Sequence, residues 1–381
     1  MANIFDYLEW RGDVPFDIDP FNEVDALILS ELVYVPFEGL VPGPGLKDKI
    51  LIEDLCKIFF EKYTEEELLA RTAFTKLAPF LMREIAHSKR FNGTKLCGFV
   101  NQIDSDNISQ FSACTFYLSD GTIFVAFRGT DDTLIGWRED YNMCYSTGTG
   151  GQLKAVEYLN KNFARTMKSI RIGGHSKGGN FAVFGSAFCK MHIKDSIIDV
   201  YNFDGPGCIP ELLKKAEYKS IIGRVHKYIP EDSIIGLFLY TKAKTKIVAS
   251  TAKGIMQHDP ISWNVVRNRF DYKEDVSSSA KIIDEIIKKW SAEVDYESRA
   301  AFGDIFFSSL SATGATKLSH ITSSKVKSLT NLKREIQNLD EKHQALVMDV
   351  IVKLAAAGGD SIKNSFISKM SKSLTVRKIE K

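Results

Sequence analysis

Lys168-Ser-Ile-Arg-Ile-Gly-Gly-His-Ser-Lys-Gly-Gly-Asn-Phe-Ala-Val-Phe-Gly-Ser-Ala-Phe, ending at residue 188, is the stretch whose reading decides the fold. Its first third alternates apolar residues as a buried strand does, and its last third is a run of small and aromatic residues with the length of a helix. Between them Gly174-His175-Ser176-Lys177-Gly178 fits the pattern Gly-x-Ser-x-Gly in the setting that pattern requires, a strand, a tight turn and a helix. Such a turn forces Ser176 into an unfavourable backbone conformation and leaves no room for side chains two residues to either side. It presents the serine hydroxyl at a helix N-terminus, where a nucleophile is useful. The alternative is an ordinary glycine-rich turn between strand and helix.

Outward from this turn, short runs rich in Val, Ile, Phe and Tyr stand at Lys95 to Gln102, Phe111 to Leu118 and Thr122 to Arg128. The last two are joined by Ser119-Asp120-Gly121, a hairpin signal. Helix-like stretches at Leu134 to Tyr145 and Gln152 to Thr166 are then followed by strand-like ones at Lys168 to Gly173, Ile197 to Phe203, Ile222 to Ile229 and, more weakly, Lys246 to Ser250. Strands alternating with helices at this spacing predict an α/β fold with a mostly parallel central sheet covered by helices. Residues 1 to 93 read as N-terminal helices that cover the sheet, with Asn22-Glu-Val-Asp-Ala-Leu-Ile-Leu as an amphipathic segment and Thr64 capping acids in the next one. From about Tyr272 the pattern is helical again. Ile282, Ile283, Ile286, Ile287, Trp290 and Val294 share one face, as do Leu332, Ile336, Leu339, Leu346, Val350 and Leu354. The expected division is a domain over 1–270 and a C-terminal helical region over 271–381.

A serine hydroxyl needs a base, and the base needs an acid to orient it. After Ser176 the histidines are His192, His226, His258, His320 and His343. His192 falls in or just beyond the helix leaving the turn, His226 inside a strand, and His320 and His343 in the helical last part. Only His258 stands in a loop beyond the last strand-like run, so it is the expected general base. Asp232, in the loop after the strand that ends at Pro230, is the expected acid. Asp204, which also ends a strand, is held in reserve, and Glu231 comes third. Donors for an oxyanion are expected from the Lys177 amide, next after the nucleophile, and from Thr130, which follows Gly129 in an earlier strand-to-helix loop.

The 50 basic and 48 acidic residues among 381 nearly cancel, leaving a formal charge of +2 and no global field to attract nucleic acid. The start of the chain lacks the basic, then apolar, pattern of a secretory signal. Its six cysteines include no pair at metal-ligand or redox-motif spacing, and the expected setting is the reducing cytoplasm. The most apolar late stretch, Ala345 to Gly358, is interrupted by Asp349 and Lys353 and is too short to span a bilayer. The last 21 residues, Ser361 to Lys381, are basic. They read as a solvated tail, with peripheral contact to an anionic membrane surface as the alternative.

Val125-Ala-Phe-Arg-Gly-Thr, Trp137 and Asp140, the Gly-His-Ser-Lys-Gly-Gly turn, Asn202-Phe-Asp-Gly-Pro-Gly, and the Pro-Glu-Asp and His-Asp segments together resemble the lipase-like α/β-hydrolases akin to fungal class 3 lipases. The resemblance is closer to a bacterial lipase-like branch of unknown function, and it spans about residues 3 to 270. It implies an α/β-hydrolase fold and a triad of Ser176, Asp232 and His258. It further implies an oxyanion pair of Thr130 and Lys177, and cleavage of a small-molecule or lipid ester through an acyl-enzyme with neither metal nor organic cofactor. This chain departs from true lipases at Gly205-Pro206-Gly207, where they carry Gly-Gln-Pro, and at Lys177, where they often carry Leu or Met. Acyl transfer to another acceptor, or a non-catalytic binding role on the same fold, are the alternative functions.

Overall fold

The structure, a computed structural model, describes residues 1–70, 75–312, 316, 317, 341 and 345. Among them the strands are β1 (Ile50–Leu51), β2 (Lys95–Asp104), β3 (Ser109–Tyr117), β4 (Ile123–Phe127), β5 (Ile170–His175), β6 (Ile197–Phe203), β7 (Val225–Pro230), β8 (Thr245–Val248), β9 (Val265–Val266), β10 (Arg269–Phe270) and β11 (Tyr272–Lys273). One sheet runs β1-β2-β3-β4-β5-β6-β7-β8-β11, and β9 and β10 form a separate hairpin. From β4 to β8 every pairing is parallel, while the edges are antiparallel. β4 is buried along its whole length, as a strand covered on both faces must be.

Two adjacent glycines of β5 identify what covers each face, because successive strand residues point to opposite sides. A Cβ on Gly173 would meet Ser30 Oγ at 2.9 Å, whereas one on Gly174 would meet the Gly178 backbone at 2.4 Å. The helix Glu23–Leu32 therefore lies on one face and the helix Lys177–Phe188 on the other. This is the mostly parallel, helix-flanked sheet of an α/β fold read from the sequence.

A buried ion pair locks down the helix Glu23–Leu32 that lies on the sheet. Asp25, in the first turn of Glu23–Leu32, accepts from Arg90 Nη2 at 2.6 Å and Nε at 2.7 Å, and from the Tyr7 hydroxyl at 2.8 Å. Asp25 and Arg90 are both fully buried. Arg90 spends its remaining donors on the carbonyls of Val14, Asp19 and Pro20. Asp25→Ala would strand this guanidinium among acceptors away from water. It is expected to lower the unfolding free energy, read by urea denaturation, by about 3–5 kcal/mol.

Several boundaries differ from the sequence reading for local reasons. The strand expected from Ile222 begins at Val225, because Ile222–Arg224 forms a 3₁₀ turn. The helix expected from Gln152 begins at Gly150, because Thr149 caps it reciprocally with Gln152. β1, β9, β10 and β11 are two residues each, too short for any periodicity to announce them.

The chain divides into two compact units, the first made of Met1–Asp131 and Thr147–Val276. The second contains Asp132–Ser146 and the chain from Ser277 on, so the division falls a few residues later than the expected 270/271 and takes an earlier segment with it. Within the second unit Leu134, Phe307 and Leu310 form a small core with Trp137, Tyr141 and Phe306. Buried Arg299 donates to the carbonyls of Cys144 at 2.7 Å and Val294 at 2.9 Å. Trp290 and Val294 of the expected apolar face are buried, but Ile282 is exposed. The second expected face, Leu332 to Leu354, and the basic end Ser361 to Lys381 lie outside the described residues. Among the described residues no helix is long and apolar enough to cross a membrane. All six cysteines are buried free thiols.

Candidate active site

Ser176 sits between β5 and the helix Lys177–Phe188 with φ 56° and ψ −133°, a backbone conformation that only glycine adopts without strain. Such a residue costs on the order of 1–3 kcal/mol, so the surroundings must over-determine it. They do. The Ser176 amide donates to the Phe203 carbonyl at 2.9 Å, and the Ser176 carbonyl accepts from Gly179 at 2.9 Å. A Cβ on Gly178 would stand 2.0 Å from the Phe127 carbonyl oxygen, and one on Gly205 would stand 2.4 Å from the Ser176 carbonyl oxygen. The glycines of the pattern are there because backbone passes over backbone.

His258 ends a short 3₁₀ turn, Gly254–His258, and its side chain is 14% exposed. The structure brings its ring to Asp204, not to Asp232: His258 Nδ1 donates to Asp204 Oδ2 at 2.7 Å. Asp204 follows β6 directly, is buried, and itself has a positive φ of 47°. Its other oxygen accepts from the Ser233 hydroxyl and from the Gly236 amide at 3.1 Å, both from the loop after β7. That loop wraps over Asp204, and in doing so carries Asp232 away to accept from the Gly254 amide at 2.9 Å and Gln257 Nε2 at 3.3 Å. Asp232 thus shapes the turn that ends in His258. Glu231, third in the sequence reading, lies 3.7 Å from Lys273 Nζ in an ion pair.

With its proton on Nδ1 toward a carboxylate, the His258 ring turns its basic nitrogen, Nε2, away from Asp204. The ring lies 4.6 Å, centroid to centroid, from that of His175, the residue before Ser176. Lys177 opens the helix and is buried, so its amide heads the helix N-terminus beside Ser176. Gly129 reaches the same place, since a Cβ there would stand 2.9 Å from Ser176 Cβ, and Thr130 follows it. The His258 ring thus stands against the residue before Ser176, Gly129 stands against Ser176 itself, and the carboxylate beside the histidine is the reserve one.

Two buried ionisable groups flank the site unannounced by any motif. Lys227 of β7 donates to the Gly205 carbonyl at 3.0 Å, and burial pushes its ammonium down to about 8 against the opposing pull of Asp204. Glu31 is fully buried, neither of its carboxyl oxygens has a hydrogen-bond partner among the described residues, and Oε1 lies 3.6 Å from His175 Nδ1. Burial, then the charge of Asp259, raises its carboxyl well above the ordinary range. The folded state then holds a proton that the unfolded chain releases, so this residue's contribution falls as pH rises beyond the ordinary glutamate value. Glu31→Gln is expected to match the wild type in urea denaturation near pH 4. Above that its advantage should widen by up to about 1.4 kcal/mol per pH unit until the folded carboxyl itself ionises.

No curated protein sequence matches the chain. Among solved structures, the chain is similar to the Rhizomucor miehei lipase propeptide complex at 14% identity over 51% of this chain and 66% of that one, with a TM-score of 0.32. It spans just under two thirds of that lipase chain. A second likeness, to M37 lipase, has 14% identity over 46% of this chain and 70% of that one, with a TM-score of 0.31. A family match covers residues 85–308, which include β2 to β8, Ser176, Asp204 and His258, and by that match the chain belongs to the Mbeg1-like family.

Proposed function

We propose that this protein is a serine hydrolase acting on ester-like substrates, with Ser176 as nucleophile, His258 as general base and Asp204 as the acid that orients it. The observation that carries the reading is the 2.7 Å bond between His258 Nδ1 and a buried carboxylate, beside a serine held at positive φ. Ser176 Oγ would attack the carbonyl carbon as His258 Nε2 takes its proton. The developing oxyanion would be met by the amides of Thr130 and Lys177. Collapse breaks the ester C–O bond, and the alcohol leaves with the proton from His258. Water then attacks the acyl-serine, returns a proton through His258 and releases the carboxylic acid. Asp204 keeps the imidazolium stable without being protonated itself.

The buried thiols suit a reducing compartment, and we place the protein in the cytoplasm. The experiment is labelling with a fluorophosphonate probe. The wild type should be labelled at Ser176 and Ser176→Ala should not. A folded wild type that resists the probe and turns over no p-nitrophenyl ester of any chain length would replace this reading by a non-catalytic binding role.

A further inference from the structure

Four segments carry the proposed chemistry, and one hydrogen-bonded chain joins three of them, those of Thr130, Ser176 and His258. The Gly129 amide donates to the Tyr34 hydroxyl at 3.1 Å, that hydroxyl meets His175 Nδ1 at 3.1 Å, and His175 Nε2 meets the His258 carbonyl at 2.8 Å. The direction of every bond follows from one end. A carbonyl only accepts, so His175 Nε2 carries a proton. Burial, and then the proximity of His258, holds the His175 imidazole well below its ordinary range, so the ring is neutral and Nδ1 accepts. The Tyr34 hydroxyl, 3.1 Å from Nδ1 and 3.5 Å from the His175 carbonyl oxygen, then donates to the nearer Nδ1, and its oxygen receives the Gly129 amide.

We infer that Tyr34 and His175 are positioning residues, which set the His258 loop and the Gly129–Thr130 loop in register with Ser176. The inference rests on the hydrolase reading above. His258 would be held at two points, its ring by Asp204 and its main chain by the neighbour of the nucleophile. The oxyanion loop would be held at the residue before Thr130. Neither Tyr34 nor His175 would touch substrate. The brace has a firm base, because Tyr34 follows the covering helix Glu23–Leu32 and His175 is 2% exposed. Geometry at a reacting centre is steep in its effect on rate, a misplacement of about 1 Å costing roughly a hundredfold.

The test uses Tyr34→Phe, His175→Leu and His175→Gln in the full chain. The readouts are kcat and KM on p-nitrophenyl butyrate, the rate of fluorophosphonate labelling, and thermal unfolding. Tyr34→Phe, which keeps the ring and loses only the hydroxyl, should lower kcat and the labelling rate about 10- to 100-fold with KM within about twofold. His175→Leu should do the same or worse. His175→Gln, which keeps a donor for the His258 carbonyl, should recover most of the rate that His175→Leu loses. A rate in Tyr34→Phe equal to that of the wild type would overturn the brace, as would a folded His175→Gln no faster than His175→Leu. Either result leaves the hydrolase reading intact so long as the wild type is labelled. An unlabelled wild type removes both.

Discussion

Ser176→Ala is expected to abolish fluorophosphonate labelling and to lower ester turnover about 10⁵-fold or more, leaving only the residue of catalysis that binding and oxyanion donors supply. Fold should not suffer. Alanine and serine meet the same steric objection at φ 56°, so the strain is conserved and the melting temperature should stay near that of the wild type. Ser176→Gly separates the two properties. It should be equally inactive yet more stable by about 1 kcal/mol or more, because glycine adopts this backbone without penalty. If the glycine variant were less stable than the alanine one, the strain assigned to this turn would be wrong, even with the nucleophile correct.

The second large effect separates two aspartates. Asp204→Asn should lower kcat about 10⁴-fold. The amide no longer fixes the imidazole with its proton on Nδ1, and it cannot stabilise the imidazolium. Asp232→Asn should cost less than about tenfold, since Asp232 caps the Gly254 amide and Gln257 rather than the ring. Steady-state kinetics on one ester, with labelling rates beside them, decide the matter. Equal losses in the two variants would mean that the His258 turn, not its ring contact, is what matters. A loss confined to Asp232→Asn would return the acid to the place that spacing alone suggested. Ser233, whose hydroxyl shares Asp204, should give an intermediate effect as alanine.

The proposed nucleophile and base were legible because their signals are local. Gly174 is demanded by the Gly178 backbone within the turn itself and Gly178 by the Phe127 carbonyl of the neighbouring strand, yet both stand in one pentapeptide that a strand and a helix flank within a few residues. His258 emerged by elimination, the other late histidines falling in predicted strands or helices. The carboxylate beside His258 was not readable in the same way. Asp204 and Asp232 both follow a parallel strand, both lie between serine and histidine in the chain, and both suit the expected order. What separates them is the path of the loop after β7, which folds Ser233 and Gly236 back onto Asp204 and turns Asp232 outward. No residue pattern encodes that direction.

By itself the sequence determined the alternation of strands and helices, hence the parallel sheet, and the tight turn that exposes Ser176. These depend on periodicity and on the steric needs of neighbours in the chain. Only the tertiary structure decided which carboxylate meets His258, that Asp25 and Arg90 pin the covering helix, and that Tyr34 reaches His175 across 141 residues of chain. These contacts join segments far apart in sequence. Each is a single polar pairing in a buried place, fixed by the packing of whole elements, and a lone Asp, Arg or Tyr leaves no periodic trace of its partner.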